Sequence, residues 1–325
     1  MTTQQWFLSS EAQLVTSISQ RIEPFWQAHF TQGSFTGVGN VRVNYGYCIP
    51  DNAQYSVLIS SGRIESLLKY KEVIYEFYHN NVAVFIVDHR GQGLSGRISR
   101  NPHHGYVDHF DQYVADLSWF IDNVVAPRQR GALNLLCHSM GAAIGALTIL
   151  AKPACFNRVV FCAPMFGIRP ALPGWMAGLL IGISRLYNAL PGTSGYFFGQ
   201  RDYHADDFNV NRLTSSQTRY QVFRTLYSEQ PHIQLGGVTP QWLSAASKAM
   251  WDIEHHAARI DQPVLLFSAE NDSVVDNQRQ ARVAAKMPAA ELITVPGAQH
   301  EILLERDAIR QPVLARILDF FGATE

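Results

Sequence analysis

The chain has 325 residues, and its 26 Lys and Arg nearly balance its 27 Asp and Glu, for a formal net charge of −1. A nucleic-acid-binding domain shows an excess or a stripe of basic residues, so this composition excludes nucleic acid as the partner. The length exceeds what one compact core needs, which favours two domains or one domain with a large insertion.

The cysteines and the ends of the sequence bear on cellular location. Cys48, Cys137, Cys155 and Cys162 lie in or near apolar segments without metal-ligand spacing, so we expect buried thiols rather than disulfides or a metal site. The first residues, MTTQQW, lack the basic and apolar regions of a signal peptide. No uninterrupted apolar stretch is long enough to span a bilayer. We therefore expect a cytoplasmic protein.

Apolar strands and helical segments alternate along most of the chain. Residues before about 34 form an irregular or helical arm. The predicted strands are 41–47, 55–60, 82–87, 133–137, 158–164, 264–268 and 291–295. The predicted helices are 67–79, 108–125, 140–150, 278–287 and 309–321. This alternation predicts an α/β fold with a mostly parallel sheet, flanking helices and right-handed crossovers.

The alternation is interrupted by a long helical segment. Between the strands at 158–164 and 264–268, helical patterns cover residues 175–190, 212–229 and 241–256. We predict that residues 1–167, including the arm, and 257–325 form one α/β core. Residues 168–256 are then an all-helical cap inserted into it.

Ser139 lies where a predicted strand meets a helix of small residues. A serine on such a sharp turn exposes its hydroxyl above the sheet, as in the G-x-S-x-G nucleophile elbow of α/β-hydrolases. Here Cys137 replaces the first glycine, and the remaining S-x-G pattern is weak because it recurs at residues 60–62. The preceding His138 is not expected to be the base, because neighbours on a strand point to opposite faces.

An activated serine needs a histidine base and a carboxylate that orients it. Asp272 and His300 follow successive predicted strands, in the order Ser, acid, His that α/β-hydrolases use. Catalytic groups collect beyond the carboxyl ends of such strands. Glu270 and Asp276 compete with Asp272 for the role of the acid.

The negative oxygen of the reaction intermediate needs N–H donors. One is expected from Met140, directly after the nucleophile, and the other from the loop after Ser60. In that loop the amide of Arg63 is our candidate. The side chains of Arg63 and Glu65 have the alternative interpretation of a solvated pair.

Six motifs in this chain occur together in one known family. They are SGRIES at 61–66, DHRGQGLSG at 88–96, CHSMG at 137–141, APMFGI at 163–168, VVDN at 274–277 and GAQHEIL at 297–303. In combination, from about residue 35 to 321, they resemble the bacterial lysophospholipases of the L-two type, in the monoacylglycerol-lipase-like branch of the α/β-hydrolases.

This resemblance implies an α/β-hydrolase fold with a helical cap. It implies Ser139, Asp272 and His300 as the catalytic triad, with Arg63 and Met140 as oxyanion donors. It also implies hydrolysis of the acyl ester of lysophospholipids at the inner face of a bacterial membrane, with acyl transfer to another lipid as an open alternative.

The predicted cap is rich in large apolar side chains, and most of them must form its own core. Some should line a pocket for an acyl chain. Our candidates for substrate contact are Trp175, Tyr196, Phe197, Phe198 and Arg201. The apolar stretch 175–183 either covers the site or touches a membrane surface.

Together these patterns predict a serine ester hydrolase that uses no cofactor and no metal. Ser139 forms an acyl-enzyme with a lysophospholipid or a related monoacyl lipid, and water releases the fatty acid. The alternatives are a monoacylglycerol lipase or general carboxylesterase with the same triad, and a non-catalytic lipid- or partner-binding protein of the same fold. The expected location is the cytoplasm or the periphery of the inner membrane face, and the oligomeric state stays open.

Overall fold

A computed structural model describes residues 6–191, 193 and 195–323 of the chain. The first five residues of the predicted arm, and most of the MTTQQW segment, lie outside the described residues. The strands are β1 Thr31–Thr36, β2 Arg42–Cys48, β3 Tyr55–Ser60, β4 Val82–Val87, β5 Leu133–His138, β6 Val159–Cys162, β7 Val264–Ala269 and β8 Ala290–Val295. The α-helices are α1 Leu14–Ser17, α2 Glu23–His29, α3 Lys71–His79, α4 Phe110–Phe120, α5 Met140–Ala151, α6 Gly174–Asn188, α7 Gln217–Glu229, α8 Pro240–His256, α9 Asn277–Ala284 and α10 Asp307–Gly322.

The eight strands form one sheet in the order β1-β2-β4-β3-β5-β6-β7-β8. The β1–β2 and β2–β4 pairs are antiparallel, and all other pairs are parallel. Every residue of β3, β4, β5, β6 and β7 is buried. These strands are mostly apolar because helices cover both faces of the sheet. The predicted mostly parallel sheet is therefore confirmed.

Strand β1 has no counterpart among the predicted strands. It lies at the edge of the sheet and pairs only with β2. Its sequence TQGSFT buries just Phe35, while its other side chains remain at least partly exposed. A polar edge strand lacks the apolar alternation by which strands are recognised, so the predicted arm includes its first residues.

The insertion between β6 and β7 contains α6, α7 and α8, which pack differently against the core. The apolar side of α8, including Trp242, Ala246 and Met250, belongs to the main core. On α7, Phe223 and Tyr227 form a separate small cluster with Ile233. Helix α7 begins five residues later than the predicted segment 212–229.

That late start has a local cause, a serine cap. The Ser216 hydroxyl accepts a hydrogen bond from the Arg219 amide (3.1 Å), as an N-cap does.

Within the described ranges, no helix combines the length and the hydropathy needed to cross a bilayer. The four cysteines are free thiols, and Cys48, Cys137 and Cys162 are buried.

Candidate active site

Ser139 occupies a strained turn between β5 and α5. Its φ of 50° and ψ of −117° lie where residues other than glycine rarely occur. The turn is held by two backbone hydrogen bonds, from the Ser139 amide to the Cys162 carbonyl (3.1 Å) and from the Met165 amide to the Ser139 carbonyl (3.0 Å). This geometry places the serine at the N-terminus of α5, as the predicted nucleophile elbow requires.

Two glycines on α5 permit the close approach of helix and sheet at the elbow. A Cβ added to Gly141 would lie 2.0 Å from the Ser60 carbonyl oxygen, so a side chain has no room there. A Cβ added to Gly145 would lie 2.6 Å from Cys137 Sγ. Cys137 therefore fits at a usual glycine position because Gly145 leaves space for its sulfur.

The structure brings Ser139, His300 and Asp272 into one hydrogen-bonded chain. His300 Nε2 is 2.9 Å from Ser139 Oγ, and His300 Nδ1 is 2.8 Å from Asp272 Oδ2. All three residues are buried, with at most 7% of their surface exposed. The arrangement has the geometry in which a histidine takes a proton from a serine while a carboxylate fixes its tautomer.

Asp272 is held in its charged form. Burial alone would raise the pKa of its carboxyl, but the hydrogen bond and charge of His300, with the Val275 and Val274 amides, lower the pKa below its ordinary value. Those two amides donate to Oδ1 at 3.0 and 2.8 Å. The carboxylate is thus fixed by the chain on one side and faces the histidine with the other.

The competing acids have other contacts. Glu270 accepts a hydrogen bond from the Gly297 amide (2.8 Å) at the surface. Asp276 caps α9, and its Oδ1 accepts hydrogen bonds from the Gln278 and Arg279 amides. Asp272 is therefore the only one of the three predicted acids whose described contacts include His300.

The loop after Ser60 lies beside the elbow, because the Ser60 hydroxyl donates to the Gly141 carbonyl (3.0 Å). Met140 is the first residue of α5, so its amide has no acceptor within the helix. The Arg63 amide has no backbone acceptor among the residues that the structure describes. The amides of both predicted oxyanion donors are therefore not used by the backbone hydrogen bonds of the described residues.

Directly behind these groups lies a buried charge cluster, formed by Glu65, Lys69, His138 and Glu301. Glu65 Oε1 is 2.6 Å from Lys69 Nζ and 3.1 Å from His138 Nδ1, and Lys69 Nζ is 2.8 Å from Glu301 Oε1. His138 Nε2 is 3.1 Å from the His300 carbonyl oxygen. The interpretation of Glu65 as a solvated residue is wrong, because only 2% of it is exposed.

The charges of this cluster support one another. Burial lowers the pKa of His138, but the carboxylates of Glu65 and Glu301 outweigh it and raise the pKa to about 9. Burial also raises the pKa of Glu65, yet Lys69 and His138 hold it well below its ordinary value. His138 is therefore protonated at neutral pH and donates from both nitrogens, to Glu65 and to the His300 carbonyl.

The same cluster contains three groups with metal-ligand chemistry. One donor atom each from Glu65, His138 and Glu301 lies within 4.8 Å of the others. The Lys69 ammonium contacts both carboxylates, so a cation already balances their charge. The spacing of Glu65 and Lys69, four residues apart, is the only sequence signal for this cluster, since Glu301 comes from a distant loop.

Ser139 and His300 open into a cavity of about 1440 Å³ between the core and the cap. Among the predicted cap contacts, Phe197, Phe198 and Arg201 line this cavity, whereas Trp175 and Tyr196 do not. Trp175 is 71% exposed on the outer face of α6. The hydroxyl of the buried Tyr196 donates to Asp202 instead. Their contact with substrate stays a prediction.

Together, the sheet order, the strained serine turn and the Ser139–His300–Asp272 arrangement define an α/β-hydrolase. Residues 51–307 match the family described as serine aminopeptidase, S33. The chain belongs to this α/β-hydrolase family, and the predicted fold class is confirmed.

Comparison with similar proteins shows which members of this family the chain resembles. Lysophospholipase L2 of Escherichia coli K12 is 36% identical over 305 residues, which cover 92% of this chain and 89% of that protein. The probable lysophospholipase L2 of Haemophilus influenzae is 33% identical over 301 residues, covering 92% and 94%. The predicted resemblance to the L-two type is therefore confirmed.

A solved structure agrees at the level of the fold. It is a soluble variant of the monoglyceride lipase from Saccharomyces cerevisiae in complex with a substrate analogue. It superposes with a TM-score of 0.69 at 18% identity, covering 91% of this chain and 97% of that one.

Proposed function

We propose that this protein is a serine hydrolase that cleaves the acyl ester of lysophospholipids, releasing a fatty acid and the glycerophospho head group. The observation that carries the proposal is the hydrogen-bonded chain from Ser139 Oγ through His300 to Asp272, at the floor of a large cavity. The similarity to lysophospholipases L2 supports the choice of substrate.

The reaction follows from the contacts at Ser139. Its hydroxyl attacks the ester carbonyl while His300 Nε2 takes the proton, and Asp272 stabilises the imidazolium that forms. The amides of Met140 and Arg63 donate hydrogen bonds to the negative oxygen of the tetrahedral intermediate. His300 then protonates the departing glycerol oxygen and leaves the acyl group on Ser139. A water molecule, deprotonated by His300, releases the fatty acid.

The lining of the cavity suits a single acyl chain. Leu180 and Ile181 of α6, together with Met165 and Phe198, supply apolar surface near Ser139. The volume of about 1440 Å³ exceeds the usual range for ligand sites. A long chain with a polar head therefore fits this cavity better than a small ester does.

A contact with the membrane surface is part of this proposal. The outer face of α6 and the segment after it expose six large apolar residues at helical spacing: Trp175, Leu179, Ile183, Leu186, Tyr187 and Leu190. The opposite face of α6, with Gly178 and Ile181, lines the cavity. We propose that the outer face lies on the lipid surface, so that the substrate leaves the bilayer next to the site.

The activity is tested by fatty-acid release from a lysophospholipid and a monoacylglycerol of the same chain length, with Ser139→Ala as the blank. We expect release from the lysophospholipid, and loss of release in the variant. Release from the monoacylglycerol alone would keep the triad but reject the substrate. No release, together with no labelling of Ser139 by a fluorophosphonate, would favour a non-catalytic lipid-binding protein.

The membrane contact is tested by flotation with vesicles of bacterial lipid. The double variant Leu179→Ser, Leu186→Ser should lose most of its vesicle binding. Val15→Ser is the matched control, because Val15 is 67% exposed but lies on the N-terminal arm. Equal binding of all three proteins would reject the contact.

A further inference from the structure

Among the described residues, three arginines are fully buried, and each is paired with a carboxylate. The pairs are Arg90 with Asp116 (2.6 Å), Arg219 with Glu72 (2.9 Å) and Arg310 with Glu76 (2.7 Å). This is the usual solution, since a buried charge without a counter-charge is costly. An arginine that has no carboxylate partner therefore differs from these three.

Arg63 is only partly buried, lines the same cavity as Ser139, and has no such partner. Its Nη1 donates to the Gly236 carbonyl oxygen (2.7 Å), and its Cζ lies 5.8 Å from the centre of the Trp242 ring. No carboxylate lies within 4.0 Å of its guanidinium among the residues that the structure describes. Burial lowers its pKa to about 10, and the nearby Tyr113 and Tyr196 compensate only in part. The site therefore has a positive charge and no anion of its own.

The position of this charge matches the chemistry of the proposed substrate. Arg63 lines the same cavity as Ser139, and its backbone amide is the proposed oxyanion donor. Its guanidinium thus lies within one side-chain length of the bound ester carbonyl. In a lysophospholipid acylated on the terminal glycerol oxygen, the ester carbonyl carbon and the phosphorus are separated by about six bonds, or roughly 7 Å. An extended arginine side chain spans a similar distance.

We propose that the guanidinium of Arg63 binds the phosphate of the substrate, an inference that rests on the proposed lysophospholipase function. The planar guanidinium matches two phosphate oxygens at once, whereas the neutral glycerol of a monoacylglycerol offers it no charge. Arg63 therefore holds both ends of the polar part of the substrate, with its amide on the ester oxygen and its side chain on the phosphate.

Three other cations that line the cavity have contacts that make them less suited to this role. Lys69 is committed to two buried carboxylates. Arg201 is 70% exposed and lies 3.9 Å from Asp206. Arg224 on α7 has no carboxylate within 4.0 Å among the described residues, but donates to two tyrosine hydroxyls. Arg224 is therefore the matched control, an unpaired arginine that lines the same cavity from the cap.

The test compares Arg63→Met, Arg63→Lys and Arg224→Met with the wild type. For each protein, kcat/KM is measured on a lysophospholipid and on a monoacylglycerol with the same acyl chain, in micelles of the same detergent. We expect Arg63→Met to lower the ratio of the two values by about ten- to a hundredfold, mainly through KM for the lysophospholipid. Arg63→Lys should recover part of the ratio, and Arg224→Met should keep it. Partial unfolding of a variant cancels in this ratio.

An equal loss on both substrates in Arg63→Met would overturn the proposal, since the side chain would then serve only the loop. A drop of the ratio in Arg224→Met but not in Arg63→Met would also overturn it. Failure of the wild type to cleave the lysophospholipid would reject the proposed function itself. Binding at the proposed phosphate subsite is then measured without turnover, by calorimetric titration of Ser139→Ala with glycerol 3-phosphate. Weaker binding after adding Arg63→Met supports the phosphate site, and unchanged binding overturns it.

Discussion

His138 is expected to make the stability of the protein fall as the pH rises from 6.5 to about 9. Its pKa is 6.5 in the unfolded chain and about 9 in the folded protein, because Glu65 and Glu301 outweigh the effect of burial. Over this range the folded state retains a proton that the unfolded state has released. The stabilisation is thus complete below pH 6.5 and is lost as the pH approaches 9. The difference between the two pKa values corresponds to on the order of 3 kcal/mol.

The assay is urea unfolding of the wild type and His138→Gln at pH 6, 7.5 and 9. Other groups titrate in this range, and the variant serves as the reference for them. The charged groups that face His138 are Glu65, Lys69 and Glu301, and all three remain in the variant. The free energy of unfolding of the wild type should therefore fall by about 3 kcal/mol more than that of the variant.

A surface histidine provides the control. His255 is exposed on α8, and His255→Gln should follow the pH dependence of the wild type. If the curves of the wild type and His138→Gln run parallel from pH 6 to 9, His138 is not charged in the folded protein. The assignment of its proton to the buried cluster would then be refuted.

Three further predictions concern the elbow. Ser139→Gly and Ser139→Ala should both be inactive. In urea unfolding, the glycine variant should be more stable than the alanine variant by about 1 kcal/mol, since glycine tolerates φ of 50°. Gly141→Ala should lower ester turnover by about a hundredfold, because its Cβ would push α5 away from Ser60; turnover near the wild-type value would contradict the tight contact. Gly145→Ala should lower the free energy of unfolding by about 1–3 kcal/mol, because its Cβ would contact Cys137 Sγ. Cys137→Gly should remove most of this loss in a double-mutant cycle, whereas additive effects would disprove the contact.

The sequence predicted the core well because its signals are local. Mostly apolar runs of strand length mark β3 and β4 at the bounds that the structure has. Ser139, Asp272 and His300 could be proposed because strand ends converge at one edge of a parallel sheet. Asp272 could be preferred over Glu270 and Asp276 only through the family resemblance, since the residues alone do not show which carboxylate reaches His300 in space.

The rest depends on long-range packing. The orientation of α6 decides that Trp175 is exposed while Ile181 lines the cavity, and composition alone does not determine which face of a helix is covered. The unpaired charge of Arg63 also has no sequence signal. It is evident only once the neighbours of the folded chain are known.

The buried cluster explains how distant segments keep one catalytic geometry. Glu65 accepts a hydrogen bond from the Gly62 amide, next to the proposed oxyanion donor Arg63. Through His138, the same carboxylate is linked to the carbonyl of His300, the proposed base. The loop of the proposed oxyanion donor and the loop of the proposed base are therefore joined through one buried carboxylate. The cluster thereby fixes the distance between these two loops.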